Sequence, residues 1–424
     1  MALEAVTIML RARWALGLLL ALPSPRAAPA ADTLELADLI AEALADSPQL
    51  RAARAAHEAA ALRPRQERAL PNPILSPSYV RGGGLPSGLA LEPESSNHLG
   101  AMISQELPIA GKRQLHGEIA ASETAVVLQE YEATRLAVIA RVKQAYHRLQ
   151  HAEAAIELIV RERDRLRRLR RSSDAPYFLG QSAQDAQVNH LDLRVLELGR
   201  ERQRLVEELN LLRARSFDAP LPSPPPLGAP PPPPALAELS ERALRSAPAL
   251  RTAHQRVERE RLDVELARKQ FWPDPTLSFG YHRLHASPDI FELRADFAIP
   301  LQRRDREQAH LSERSAALEE ARFRAAALEL ELLWEVRALH RQAQVAVEQK
   351  ATYADRIIPE SRKALNAYLA GYEGGVVDFM AVQESFMSTL EYQLSYLDQA
   401  LSACLALDRL EELTGLELQA QDGS

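Results

Sequence analysis

Two periodicities alternate along the chain. Apolar residues three and four apart mark helices, and strict alternation marks strands. In the first half, a helix near Thr33 to Asp46 is cut at Pro48, and a second runs toward Leu70, where Pro71 and Pro73 end it. A strand is predicted from Ile74 to Arg81. A second, His98 to Ile109, alternates Leu99, Ala101, Ile103 and Leu107 with Gly100, Met102, Ser104 and Glu106. Two long helices follow, from about Lys112 to Arg171 and from Gln181 to Phe217.

The second half repeats that order. Leu277, Phe279 and Tyr281 alternate with Thr276, Ser278, Gly280 and His282. Phe291, Leu293, Ala295, Phe297 and Ile299 then alternate with Glu292, Arg294, Asp296 and Ala298. Long helices are predicted over Arg303 to Ala370 and Val377 to Thr414. Ile139, Val142, Tyr146, Leu149, Ile156, Ile159, Leu166 and Leu169 keep coiled-coil spacing, as do Leu390, Leu394, Leu397, Leu401 and Cys404. The Arg- and Glu-rich remainder, including the basic run Arg161 to Arg171, reads as solvated faces.

The two halves are copies of one unit. LADLIAEALADSPQLR (Leu36 to Arg51) aligns without gaps on LAELSERALRSAPALR (Leu236 to Arg251). LPNPILSPSY (Leu70 to Tyr79) matches WPDPTLSFGY (Trp272 to Tyr281), and ELPIAGKR (Glu106 to Arg113) matches AIPLQRR (Ala298 to Arg304). The unit is helix, helix, strand, strand, long helix, long helix, and a duplicated domain of about 200 residues fits better than a solenoid. The first repeat spans residues 31–218 and the second 235–416, with a tail at 417–424. Between them, residues 219–234 hold ten prolines in sixteen positions, a stiff extended connector.

Composition narrows the class. The 424 residues are 46% hydrophobic and 26% charged with only 5% aromatics, which favours long helices. A net charge of −7 argues against nucleic acid as a partner. Arg11 and Arg13, the apolar run Trp14 to Leu22 and the small residues Ala27 to Ala31 have the order of a secretory leader, residues 1–30. Glu4 fits that pattern poorly, so Met9 is an alternative start. No other stretch is apolar enough for a transmembrane helix. The one cysteine, Cys404, excludes an internal disulfide and a CxxC metal site, and its place in the seam makes it a small core residue.

An exported chain with strands apolar on one face and charged on the other fits a transmembrane β-barrel. Two strands per repeat are too few to form a soluble sandwich core. Four strands cannot close a barrel, so several copies must share one.

One stretch interrupts the last helices: YEGGVVDF, Tyr372 to Phe379. Gly374 and Gly375 let the chain reverse in little space, and Asp378 follows as an acid in the first turn of the next helix. The matching turn of the first repeat is Tyr177 to Gly180, preceded by Asp174 and Pro176.

This order resembles the TolC-type outer-membrane efflux channels, from Thr33 to Gly415. PNP and PDP before the first strand of each unit, ELPIAGKR, and the C-terminal run from Tyr372 to Gly415 carry the likeness. That last run looks most like the subgroup serving heavy-metal efflux pumps. The resemblance implies a mainly α homotrimer: a periplasmic α-barrel below a shared twelve-stranded barrel in outer-membrane lipid. It further implies a periplasmic adaptor protein and an inner-membrane pump of the resistance-nodulation-division class. The exported substrate would be metal ions or small toxic compounds. Asp378 matches the first of two acids that ring the family's narrow tip. The second position is Ala381 here, which leaves Glu373 or Glu384 to supplement the ring. Tyr372, Gly374, Gly375, Asp174, Tyr177 and Gly180 would form the tip turns and meet the adaptor.

Enzyme signatures are missing: no HExxH, Walker loop, GxSxG or dinucleotide turn occurs, and no cofactor is implied. His147 with His151, and His282 with His285, are spaced to share a metal, but histidines on a long solvated helix are ordinarily incidental. The rival reading is a periplasmic coiled-coil adaptor, which would carry one helical hairpin rather than two.

Overall fold

The computed structural model describes residues 34–80, 98–172, 178–284, 288–299, 301–302 and 304–416. The expected leader and the 417–424 tail lie outside them. The first repeat comprises α1 (Leu36–Asp46), α2 (Pro48–Ala60), α3 (Arg63–Arg68), β1 (Ile74–Val80), β2 (His98–Glu106), α4 (Lys112–Ser172) and α5 (Phe178–Leu212). The second comprises α6 (Leu236–Ser246), α7 (Pro248–Lys269), β3 (Pro275–Leu284), β4 (Ile290–Phe297), α8 (Ala309–Thr352), α9 (Ile358–Glu373) and α10 (Phe379–Thr414).

Several boundaries differ from the sequence reading; β2, expected to reach Ile109, ends at Glu106, and the helix expected to run toward Leu70 breaks after Ala60. The helix expected to run from Arg303 to Ala370 is broken by π-helical turns at Arg304–Gln308 and Tyr353–Ile357. The second lies just before Pro359, which has no N–H to donate to the ladder. The helix expected to reach Phe217 stops at Leu212, because Ala214 takes a left-handed conformation (φ 53°).

α4 has 61 residues and is roughly 90 Å long. It packs on α5 and on α10, and α10 packs on α8, so the long helices lie in the order α5, α4, α10, α8. Each repeat closes its own core. Leu39, Ala43, Val142, Tyr146, Leu149 and Leu209 form the first. Leu239, Ala243, Val336, Ala343, Leu407 and Leu410 form the second. The proline-rich connector has no regular structure and is tied down along the first core: Leu34 N donates to Ser223 O at 3.3 Å and Gln150 Nε2 to Pro225 O at 2.9 Å.

The four strands form one antiparallel sheet in the order β1-β2-β3-β4. β2 pairs with β3 across the repeats, and Ser104 meets Ser278 there, hydroxyl to hydroxyl at 2.9 Å. Leu75, Ile103, Phe279 and Leu293 stand in one row across the sheet, and all are exposed. The alternate rows hold Ser104, Ser278, Gly100 and Gly280, of which Ser278, Gly100 and Gly280 are buried. The apolar face is thus bare, the reverse of a soluble sheet, and the polar face is buried at its centre, while Arg294 and Asp296 on β4 stay exposed. Among the described residues, the outer strands β1 and β4 each pair on one side only.

Candidate channel constriction

The turn between α9 and α10 is fixed by its backbone. Val376 N donates to Gly371 O at 2.9 Å and Gly375 N to Tyr372 O at 3.0 Å, the two bonds of a Schellman helix ending. Gly375 is the left-handed residue, with φ +70°. Gly374 is not: it remains right-handed, with φ −81°. The glycine that the sequence reading missed is Gly371. A Cβ there would lie 2.7 Å from Val377 Cγ2, so the helix end and the returning chain touch only because no side chain intervenes. The signal was present in the spacing AGYEGG, where a glycine precedes the obvious pair.

Asp378 is the N-cap of α10. Its Oδ1 accepts a hydrogen bond from Ala381 N at 2.9 Å. The position where the resemblance expects a second acid is therefore the residue whose amide Asp378 caps. Asp378, Glu373 and Glu384 are all exposed. Glu384 projects from the side of α10 opposite the buried Val382 and Phe386. Tyr372 and Phe379 close the turn edge to face, ring centroids 5.6 Å apart. Beneath them Leu166, Val188, Leu365, Val382 and Phe386, from four different helices, join the two hairpins. Asp174 and Tyr177 lie outside the described residues, and Gly180 falls in the first turn of α5.

The seam between the hairpins departs from the solvated-face expectation. Lys143, His147 and His151 recur every fourth residue along α4 and meet acids of α10. Lys143 pairs with Glu411, His147 Nδ1 lies 2.8 Å from Asp408 Oδ2, and His151 Nε2 lies 2.8 Å from Asp398 Oδ1. Lys143, His147, Asp408 and Glu411 are buried. The two histidines thus face carboxylates of the other hairpin. Among the described residues no three His, Cys, Asp or Glu side chains are grouped to hold a metal. Cys404 is buried in the same seam, and burial pushes its thiol up to about 12, with Asp408 adding to the rise. No described helix is long and apolar enough to cross a membrane.

The comparisons with known proteins agree with this architecture. The model of the outer membrane efflux protein family matches residues 39–214 and 239–416. No curated protein matches the chain. Among solved structures, VceC from Vibrio cholerae is 20% identical, with a TM-score of 0.75 over 91% of this chain and 97% of its own. The open-state MtrE outer-membrane channel of Neisseria gonorrhoeae is 19% identical, with a TM-score of 0.75 over 90% of this chain and 88% of its own. CusC, described through its folding and transmembrane channel formation, is 18% identical, with a TM-score of 0.75 over 89% and 91%. At such identities the likeness is one of fold. The family matches occupy most of the chain, so this protein belongs to the outer membrane efflux protein family.

Proposed function

We propose that the chain is the outer-membrane channel of a tripartite efflux system. Three copies share one barrel of twelve strands in the outer membrane, and their long helices form a hollow conduit through the periplasm. Substrate passes without chemistry at the channel itself. A periplasmic adaptor docks at the helical tips, and an inner-membrane pump of the resistance-nodulation-division class supplies the energy. The cargo is metal ions or small toxic compounds, with the heavy-metal subgroup favoured by the C-terminal run from Tyr372 to Gly415.

One observation carries this reading: the sheet bares an apolar face from β1 to β4 and buries the centre of its polar face, while its outer strands pair on one side only among the described residues. Leu293 is 82% exposed and Phe291 69%, whereas Ser278 is 2% exposed. Such a sheet is stable with lipid on the bare face, and only once its edges are closed by further strands.

At the tip, three copies of Asp378 would encircle the conduit and favour cations. Extraction in detergent with light scattering tests the assembly. A species of three chains that conducts ions in a planar bilayer supports the reading. A soluble monomer overturns it.

A further inference from the structure

The polar face of the sheet carries a histidine laid over two glycines. His282 of β3 sits between Gly100 of β2 and Ile290 of β4. Gly280, the next residue of β3 on that face, sits opposite Glu292 of β4. The imidazole occupies room that side chains on both glycines would take. A Cβ on Gly100 would overlap its Nδ1, and one on Gly280 would stand 3.2 Å from its Nε2. The same Cβ on Gly280 would lie 3.7 Å from Glu292 Oε2, so the bare glycine leaves space beside both polar atoms.

His282 Nε2 lies 3.5 Å from Glu292 Oε2. That is longer than an ordinary hydrogen bond. It is close to the spacing of two ligands on one tetrahedral ion, where bonds of about 2.1 Å set neighbouring donors roughly 3.4 Å apart. The side chains are 21% and 42% exposed, sheltered yet open to an ion from solvent. Arg294, two residues along β4 on the same face, donates to Asp296 at 2.9 Å.

We infer that His282 and Glu292 bind a divalent transition-metal cation of the zinc, nickel, cobalt or copper(II) kind. An imidazole with a carboxylate suits these ions, whereas magnesium and calcium take oxygen ligands and copper(I) takes sulfur. Among the described residues no third histidine, cysteine or acid joins the pair, so water completes the coordination and the ion is held reversibly. His285, spaced in the sequence to share a metal with His282, lies outside the described residues. The site stands near the end of β3 and the start of β4, away from the strand ends that adjoin the helices. Its role rests on the shared-barrel reading proposed above: the polar face then lines the lumen, and the pair meets cargo at the exit.

Zinc titrated into the full chain in detergent, followed by calorimetry, tests the site. The wild type should bind zinc and give no heat with magnesium at the same concentration. His282→Ala should abolish that binding. Glu292→Gln, and Gly280→Ala, whose methyl group enters the space beside Nε2, should each weaken it by about tenfold or more. Light scattering confirms that each variant assembles as the wild type does. Zinc that fails to bind the wild type, or binds His282→Ala equally well, overturns the site. In a planar bilayer, zinc added at the sheet side should lower the current of the wild type and not of His282→Ala. Zinc bound through His282 with no effect on current overturns the place in the lumen. Zinc bound through His282 by a chain that forms no conducting trimer overturns the shared barrel and leaves the site standing.

Discussion

Tyr146 and His340 hold the same place in the two repeats. Tyr146 Oη donates to Leu34 O at 3.1 Å, and His340 Nε2 lies 3.0 Å from Pro234 O. Each carbonyl stands just ahead of the first helix of its repeat, so each ring ties a long helix to the start of its own unit. Because a carbonyl only accepts, His340 carries its proton on Nε2. Tyr146→Phe keeps the ring and removes the donor, and should cost about 1 kcal/mol. Thermal unfolding in detergent measures it, and an unchanged midpoint would contradict the tie.

The same tyrosine predicts an alkaline limit. Burial pushes Tyr146 up to about 12 from an ordinary 10.0, with Glu35 adding to the rise. Burial pushes Cys404 up to about 12 from 9.0; Asp408 adds to this and Lys350 opposes it. Both groups bind their protons more tightly folded than unfolded. Their contribution is therefore complete below pH 9 and is lost as pH rises toward about 12. Stability measured from pH 7 upward should stay flat and then fall. The fall should shrink in Tyr146→Phe with Cys404→Ala, and an equal fall in that variant refutes the assignment.

Asp378 serves the helix as well as any ring, and two substitutions separate these roles. Asp378→Asn keeps an oxygen for Ala381 N and removes the charge. Stability should hold within about 0.5 kcal/mol, while the cation preference read from reversal potentials should fall. Asp378→Ala loses both and should cost about 1 kcal/mol. Unchanged reversal potentials in Asp378→Asn would remove the acid from the permeation path.

Gly371 and Gly375 are needed for different reasons. Gly375→Ala strains a left-handed residue in open space, a cost of about 1 kcal/mol. Gly371→Ala drives a methyl group against Val377, and should cost more and shift the turn. The ranking is read from paired unfolding midpoints. Equal costs would mean that the close approach is unimportant.

Ala214 ends α5 where Gly415 ends α10, and both are left-handed (φ 53° and 65°). Ala214→Gly should therefore stabilise the protein by about 1 kcal/mol. A lower midpoint would show that the methyl group gains more from packing than its backbone costs.

Much of this architecture is local and was legible in the residues. Period two in Phe291 to Phe297 and period three to four through Val142, Tyr146 and Leu149 are set by backbone geometry. So are the two prolines that stop each short helix before a strand. The tertiary structure decided the rest. Lys143, His147, Asp408 and Glu411 look like surface charges in sequence, since a helical charge is solvated unless a distant partner lies opposite. Their partners lie more than 250 residues away. Gly371 likewise acquires its meaning only when the returning chain brings Val377 within 2.7 Å of where its Cβ would stand. Periodicity fixes which face a residue occupies; what that face meets is settled only when the two repeats pack together.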